Sequence, residues 1–176
     1  MTKSTKAIVL AALLGSAPAL AYDNYFSLGA THVTSNGEDA TGFGGSYAWF
    51  ANKDSNIGLI GTASFASKDY EASSEFIGLA ATVNAFDVNM GPIFKIPSAK
   101  WLRVYPMIGL TVAEVEACAA TAFHSECVSD NETYFNYGIG AQASIPSTNF
   151  FVDTNIKKVT GDADGTIIYL GLGYHY

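Results

Sequence analysis

The chain has 176 residues, of which 14% are charged and 49% hydrophobic, and it carries 17 Gly, 10 Tyr and 11 Phe. Its formal net charge of −7 argues against a nucleic-acid ligand, because such binding depends on Lys and Arg that neutralise phosphates. The length fits one domain, and no motif predicts a cofactor.

The N-terminus has the pattern of a secretory leader. Two lysines precede the apolar stretch Ala7–Leu14, and Ala19 and Ala21 form the small-x-small pattern of a cleavage site. The apolar stretch is shorter than the ~20 residues that a transmembrane helix needs. We predict a cleaved signal peptide, 1–21, and a mature domain, 22–176. Cleavage would leave seven Lys and Arg against 16 Asp and Glu, a formal charge of −9.

The mature domain reads as a series of β-strands. No later stretch could form a membrane helix, so a membrane protein with this sequence must be a barrel. Period-two alternation of apolar and polar residues predicts an all-β fold, an eight-stranded antiparallel up-and-down transmembrane β-barrel. In chain order the predicted strands are Tyr25–Thr34, Thr41–Phe50, Ile57–Ser67, a fourth that starts between Glu75 and Val83 and includes Phe86–Lys95, Trp101–Ala113, Thr133–Ile145, Asn149–Lys158 and Thr166–Tyr176.

Each strand has an apolar face for lipid and a small or polar face for a lumen. In the fourth strand, for example, Phe86 and Val88 share one face while Asp87 and Asn89 share the other. An eight-stranded barrel is just wide enough for side chains to fill, and an unpaired buried charge is costly. We therefore expect the charged lumen residues to pair and to plug the barrel, with a narrow ion path as the alternative. These residues are Asp87, Lys95, Arg103, Asp153 and Lys157.

The connections alternate between short and long. Short turns at 52–56, 97–99 and 146–148 are predicted on the periplasmic side, and longer external loops at 35–40, from 68 to 74 or beyond, 114–132 and 160–165. The external loops are acidic, which indicates either a solvated surface or divalent cations that bridge to lipopolysaccharide phosphates. No ligand spacing predicts a dedicated metal site. The acidic loop residues are Glu38, Asp39, Asp69, Glu71, Glu114, Glu116, Glu126, Asp130, Glu132, Asp162 and Asp164.

Cys118 and Cys127 are the two cysteines of the chain. In a secreted protein they are expected to form a disulfide, which would stabilise by ~2–3 kcal/mol for so short a loop. A metal site that also uses His124 and Glu126 is the alternative, but its spacing matches no common zinc pattern.

A soluble secreted β-sandwich would show similar short strands. The polar face here has few charges, however, and aromatic residues cluster at strand ends as they do in membrane girdles. The last strand ends with Leu172, Tyr174 and Tyr176 at two-residue steps. This ending resembles the C-terminal insertion signal that the barrel assembly machinery reads.

Three stretches resemble the OmpX/Ail family of small outer-membrane barrels. They are Asn56–Thr62, then Met90–Ile96 with Trp101 and Val104-Tyr105, and finally Tyr137–Gln142 with the ending Leu170–Tyr176. The resemblance implies a monomeric barrel with a filled interior in the Gram-negative outer membrane. It also implies roles in adhesion, host-cell interaction, serum resistance or envelope stress, carried by the external loops.

Three functions are therefore compared. The first is a structural or adhesive surface barrel, with outer-membrane lipid, lipopolysaccharide and host surface molecules as expected partners. The second is a narrow porin or an OmpW-like channel for small solutes. The third is a lipid A-modifying enzyme, which would need a nucleophile with a base in reach. His32 could pair with a serine, but no sequence pattern indicates this, and we predict no enzyme.

Overall fold

The computed structural model describes residues 23–35, 37–73, 78–120, 125–161 and 164–176. The predicted leader, 1–21, lies outside them. The described chain forms eight strands joined in sequence order. They are β1 (Asp23–Ser35), β2 (Glu38–Phe50), β3 (Ile57–Ser73), β4 (Gly78–Ile96), β5 (Ala99–Ala120), β6 (Ser125–Ser144), β7 (Phe150–Val159) and β8 (Gly165–His175).

The strands close into an antiparallel barrel in which β1 pairs with both β2 and β8. The predicted eight-stranded up-and-down fold is confirmed. Within the described residues no helix is long and apolar enough to cross a membrane. The predicted faces are also those of the structure, since Met90 and Leu170 are 70% and 60% exposed on the outside while Asp87 is 1% exposed inside.

The lumen is filled differently at its two ends. Near the short turns it holds a buried cluster of mostly apolar side chains: Tyr25, Ala48, Phe50, Ile60, Ile93, Tyr105, Met107 and Phe151. Toward the longer connections the buried side chains are polar, among them Ser64, Thr111, Asn136 and Lys157. The barrel is thus closed near its short-turn end by an apolar layer, and a polar layer fills it toward the longer connections.

Close packing in the lumen depends on glycines at particular positions. A Cβ on Gly140 would lie 2.3 Å from Cζ of Tyr105, which is fully buried. The bare backbone of β6 therefore makes the room that the tyrosine ring occupies on β5.

The β7–β8 connection has nearly the predicted bounds, but the other three external connections are shorter than predicted. Two of them, β3–β4 and β5–β6, are shorter because their four strands continue beyond the barrel. β2 pairs with β3 only as far as Ser67, and β7 pairs with β6 only as far as Asn136. Beyond these points β3, β4, β5 and β6 still pair with one another. We call this four-stranded extension, residues 68–73, 78–85, 113–120 and 125–134, the projecting sheet.

The predicted positions of most acidic residues in loops are therefore wrong. Strands β2, β3, β5 and β6 contain Glu38, Asp39, Asp69, Glu71, Glu114, Glu116, Glu126, Asp130 and Glu132. Asp164 lies in the β7–β8 connection, whereas Asp162 falls outside the described residues. The physical reason is that strand pairing needs only a hydrogen-bonded neighbour, whereas the prediction relied on an apolar face that contacts lipid, and the outer side of this extension carries acidic residues instead.

Candidate functional site in the lumen and the projecting sheet

The lumen contains a buried ion pair between Lys157 on β7 and Asp87 on β4. Asp87 also accepts hydrogen bonds from Ser64 (3.1 Å), Asn89 (2.7 Å) and Asn136 (2.9 Å). The carboxylate therefore has four donors drawn from four strands. Such a fully bonded pair can be held at low dielectric, and it ties opposite walls of the barrel together.

Arg103 and Asp153 depart from the expectation that the charged lumen residues form ion pairs. Among the described residues neither forms an ion pair, and the amide of Gln142 lies between them instead. Arg103 Nε donates to Gln142 Oε1 (3.1 Å), and Gln142 Nε2 donates to Asp153 Oδ2 (3.3 Å). The carboxylate is held by neutral donors, since Tyr105 donates to it over 2.6 Å and Ser27 over 2.7 Å.

Sequence reasoning missed a third acidic residue of the lumen, Asp23. It accepts a hydrogen bond from Lys95 Nζ (2.7 Å), another from the hydroxyl of Tyr25 (3.0 Å), and contacts Nε2 of His175. The Tyr25 ring also stacks on His175, with centroids 4.5 Å apart. Lys95 therefore pairs with Asp23 on β1 and not with Asp87 or Asp153, the two acidic residues that were predicted to lie in the lumen.

The projecting sheet has two different faces. Residues opposite one another in an antiparallel pair share a face, so the register assigns each side chain to the barrel's outer or inner side. The outer side carries Asp69, Glu71, Glu114 and Glu116. The inner side carries Leu79, Ala81, Val83, Ala113, Val115, Ala117 and Val128, with Glu126, Asp130 and Glu132 along β6.

The inner side is apolar and open. Leu79, Val115 and Val128 are 53%, 43% and 67% exposed, although nothing in this part of the chain is predicted to lie in lipid. Exposed apolar surface that is rimmed by polar residues indicates an interaction site.

The β6 edge of the projecting sheet has no neighbour among the described residues. The N–H of Thr160 donates to the carbonyl of Phe135 (2.9 Å), which is the last bond from the β7 side. Because bonding direction alternates along an antiparallel strand, every second residue beyond it presents its N–H and C=O to the open edge. These residues are Cys127, Ser129, Asn131 and Thr133. Within the described part of the chain, the N–H of Asn131 is the one of these groups with a local acceptor, Oδ1 of Asp130 (2.9 Å).

The opposite edge, on β3, is covered by side chains. Glu38 on β2 forms an ion pair with Lys68 (2.7 Å) and accepts a hydrogen bond from the Tyr70 hydroxyl (3.0 Å). The hydrogen bond from Lys68 lowers the pKa of Glu38, and Glu38 in turn raises the pKa of Lys68. Covering an edge with charged side chains discourages the addition of another strand, so β6 is the more available edge.

Cys118 and Cys127 are directly paired across β5 and β6 and form a disulfide, with a Cα–Cα distance of 4.1 Å. It closes the outer end of the β5–β6 hairpin. A Glu116 oxygen lies within 4.8 Å of both sulfurs, but disulfide sulfurs are not the thiolates that bind metals. His124, named in the alternative metal site, lies outside the described residues.

His32 is on the outer face of β1, where the enzyme hypothesis would need it. Its Nε2 lies 3.4 Å from Thr34 Oγ1 and 3.5 Å from Asp39 Oδ1. Thr34, however, donates its hydrogen to Asp39 (2.9 Å). In a catalytic triad the nucleophile bonds one ring nitrogen and the acid the other. Here both approach the same nitrogen, so the cluster lacks that geometry.

Comparison with known proteins decides the family. A family model described as "Outer membrane protein beta-barrel domain" matches residues 7–176. The chain belongs to this family. It is accordingly an outer-membrane β-barrel protein.

Solved structures similar to this outer-membrane barrel include Ail, the attachment invasion locus protein of Yersinia pestis, in complex with the heparin analogue sucrose octasulfate. The two share 23% sequence identity at a TM-score of 0.70, covering 89% of this chain and 100% of Ail. Ail in a phospholipid bilayer nanodisc matches at a TM-score of 0.57 with 21% identity, over 88% and 99% of the two chains. A major outer membrane protein from Thermus thermophilus matches at 0.55 with 10% identity, over 87% and 99%. No curated protein sequence matches. These likenesses confirm the predicted resemblance to Ail at the level of the barrel fold.

Proposed function

We propose that the protein is a surface adhesin whose projecting sheet binds an extended polypeptide along β6, while the barrel anchors it in the outer membrane. The observation that carries the proposal is the open β6 edge beside an apolar inner face. An unpaired edge is a template for a further strand, and peptide recognition by strand addition combines main-chain hydrogen bonds with alternating side-chain contacts.

The surface defines the chemistry of the polypeptide. Along an added strand, every second side chain would face the inner side of the sheet. There it would meet the apolar surface around Val115 and Val128 and the carboxylates of Glu126, Asp130 and Glu132. We therefore expect a segment in which apolar residues alternate with Lys or Arg, with the Lys or Arg on the inner side. Their aliphatic stems would cover the apolar surface and their charges would reach the carboxylates. The negative net charge of the chain would steer such a cationic partner toward the surface.

The acidic surface favours cationic partners over sulfated ones. The Ail structure above contains a sulfated heparin analogue, and carboxylates on both faces of the present projecting sheet would repel such an anion. Binding of heparin-like glycans is therefore not part of the proposal.

The remaining features of the proposal concern the barrel itself. We infer a cleaved leader, monomeric insertion by the assembly machinery through Leu172, Tyr174 and Tyr176, and contact between the acidic outer face and lipopolysaccharide phosphates through bridging divalent cations. Neither of the other functions has comparable support. The filled lumen leaves no obvious axial path for solutes, and the geometry at His32 does not favour catalysis.

The experiment uses the mature chain in nanodiscs and a synthetic peptide of alternating Val and Lys, about ten residues long, the length of the β6 edge. Fluorescence anisotropy of the labelled peptide should show saturable binding that weakens as salt is raised. The test variant is Ser129→Pro, which removes one N–H from the open edge. Proline is tolerated on an edge strand whose N–H faces solvent, so the barrel should still fold.

Ser129→Ala is the matched control, since it keeps the N–H and removes only the hydroxyl. We expect about a tenfold weaker affinity for Ser129→Pro than for Ser129→Ala, equivalent to one net hydrogen bond of ~1.5 kcal/mol. An alternating Val and Glu peptide should not bind. Equal affinity of the two variants would rule out strand addition at β6, and equal binding of the acidic peptide would rule out the charge argument.

A further inference from the structure

The hydrogen-bond ladder between β4 and β5 is interrupted in the barrel wall. Pairing stops at Met90 on β4 and resumes at Phe94, and by the same register Pro92 lies opposite Pro106. Lys95 donates its N–H to Asn56, on the β3 side of β4, so by alternation Pro92, three residues away, faces β5. Opposite residues at such a position exchange two hydrogen bonds, and because proline has no N–H, both are missing here.

An apolar groove lies on the lipid-facing surface over this break. It has a volume of about 700 Å³, within the range of sites that bind small molecules. Its position is near the short-turn end of the barrel, on the periplasmic side. The groove is lined by Tyr47, Trp49, Leu59, Ile60, Gly61, Met90, Gly91, Pro92, Pro106, Met107 and Ile108.

Two features make the groove deeper than the surrounding wall. Gly61 has open space where a side chain would lie, since the nearest atom to its Cβ position is a backbone oxygen 3.9 Å away. Ile60 and Met107, each 2% exposed, belong to the apolar layer of the lumen and also line the groove. The groove thus reaches from the lipid surface into the wall.

We propose that this groove is a specific site for one acyl chain of a phospholipid in the periplasmic leaflet. The groove is continuous with the apolar surface that contacts lipid, where Leu59 and Ile108 are 60% and 58% exposed, so acyl chains are the molecules that reach it. Tyr47 and Trp49 lie at its periplasmic end, and such side chains place a polar group at the level of lipid headgroups. The chain would extend from Trp49 toward Ile108.

Trp49 provides a direct reporter, because the chain has only one other tryptophan, Trp101. In the Trp101→Phe protein, refolded in detergent micelles, a phospholipid with brominated acyl chains should quench Trp49 fluorescence. Quenching should saturate near one lipid per barrel. Gly61→Leu fills the groove and should abolish this saturable quenching. Ala30→Leu is the matched control, because it adds the same side chain to the exposed outer face of β1, and it should leave the quenching unchanged.

Native mass spectrometry of the same samples tests the occupant. We expect one retained phospholipid on the Ala30→Leu protein and at least tenfold lower occupancy on the Gly61→Leu protein. The same quenching curve for both variants would overturn the proposal. So would a protein dimer that forms through the groove and is lost in Gly61→Leu, because the occupant would then be a second copy of the chain. Heat-dependent gel mobility establishes that each variant is folded.

Discussion

Replacement of Lys157 by Met tests whether the buried lumen pair determines the stability of the barrel. Both partners are 2% exposed or less, and breaking a buried pair typically costs ~3–5 kcal/mol. Asp87 would keep three neutral donors, Ser64, Asn89 and Asn136. We therefore expect the lower value, about 3 kcal/mol, for Lys157→Met, and about 5 kcal/mol for Asp87→Ala, which leaves a buried ammonium and three donors without their acceptor.

Equilibrium unfolding of the refolded protein in urea measures this loss. With a slope of ~2 kcal/mol per molar urea, a loss of about 3 kcal/mol would lower the midpoint by about 1.5 M. The neighbouring Lys158 supplies the control, because it pairs with Asp164 over 2.6 Å where the two side chains are 44% and 72% exposed. Lys158→Met should cost ~0–1 kcal/mol. If Lys157→Met and Lys158→Met unfold at the same urea concentration, the reasoning about the lumen is refuted.

Three further predictions follow from the packing and charge. Gly140→Ala should destabilise by ~1–3 kcal/mol through overpacking against Tyr105, whereas Gly61→Ala, which meets open space, should change the urea midpoint little; equal effects would contradict this. In a pH titration followed by NMR, the Glu38 carboxyl should titrate below its ordinary value of 4.5, so the pair with Lys68 is fully formed above that value and is lost as pH falls through the lowered pKa. Lys68→Met should return the midpoint toward 4.5. Folded protein in planar bilayers should show no steady channel openings, because the apolar layer closes the lumen, and resolvable openings would contradict that.

The barrel and its faces could be predicted because lipid imposes a period of two on the wall. The alternation of Phe86, Asp87 and Val88 places Asp87 inside without further information. At the projecting sheet the alternation is only partial. On β5 Glu114 and Glu116 alternate with Val115, whereas on β6 Asp130 shares a face with Val128, so these acidic residues looked like loop residues although they lie in strands. Water tolerates polar side chains on either face, so a strand beyond the lipid need not keep the full contrast between faces on which the prediction relied.

The lumen partners could be predicted only as a set. Whether Asp153 contacts Arg103 or a neutral donor depends on the position of each residue along the barrel axis. The stagger between neighbouring strands, described by the shear of the closed sheet, determines that position. Asp23 was missed because it is the second residue after the predicted cleavage site, where no earlier alternation defines its face. The available signal was that Asp23 is two and four residues before Tyr25 and Ser27, which are both buried, so that in a strand all three share the lumen face.

The contact between Asp23 and His175 joins residues 152 positions apart, and this separation has a consequence for assembly. Closing a disordered chain of that length costs about 4 kcal/mol of entropy, compared with about 2 kcal/mol for a hairpin. Neighbouring hairpins should therefore form first, and the first and last strands should join as the final step of biogenesis. A chain that has lost its last strand would then be an open sheet with two lipid-exposed edges, which a bilayer does not tolerate. We expect such a chain to be degraded and not to close into a smaller barrel.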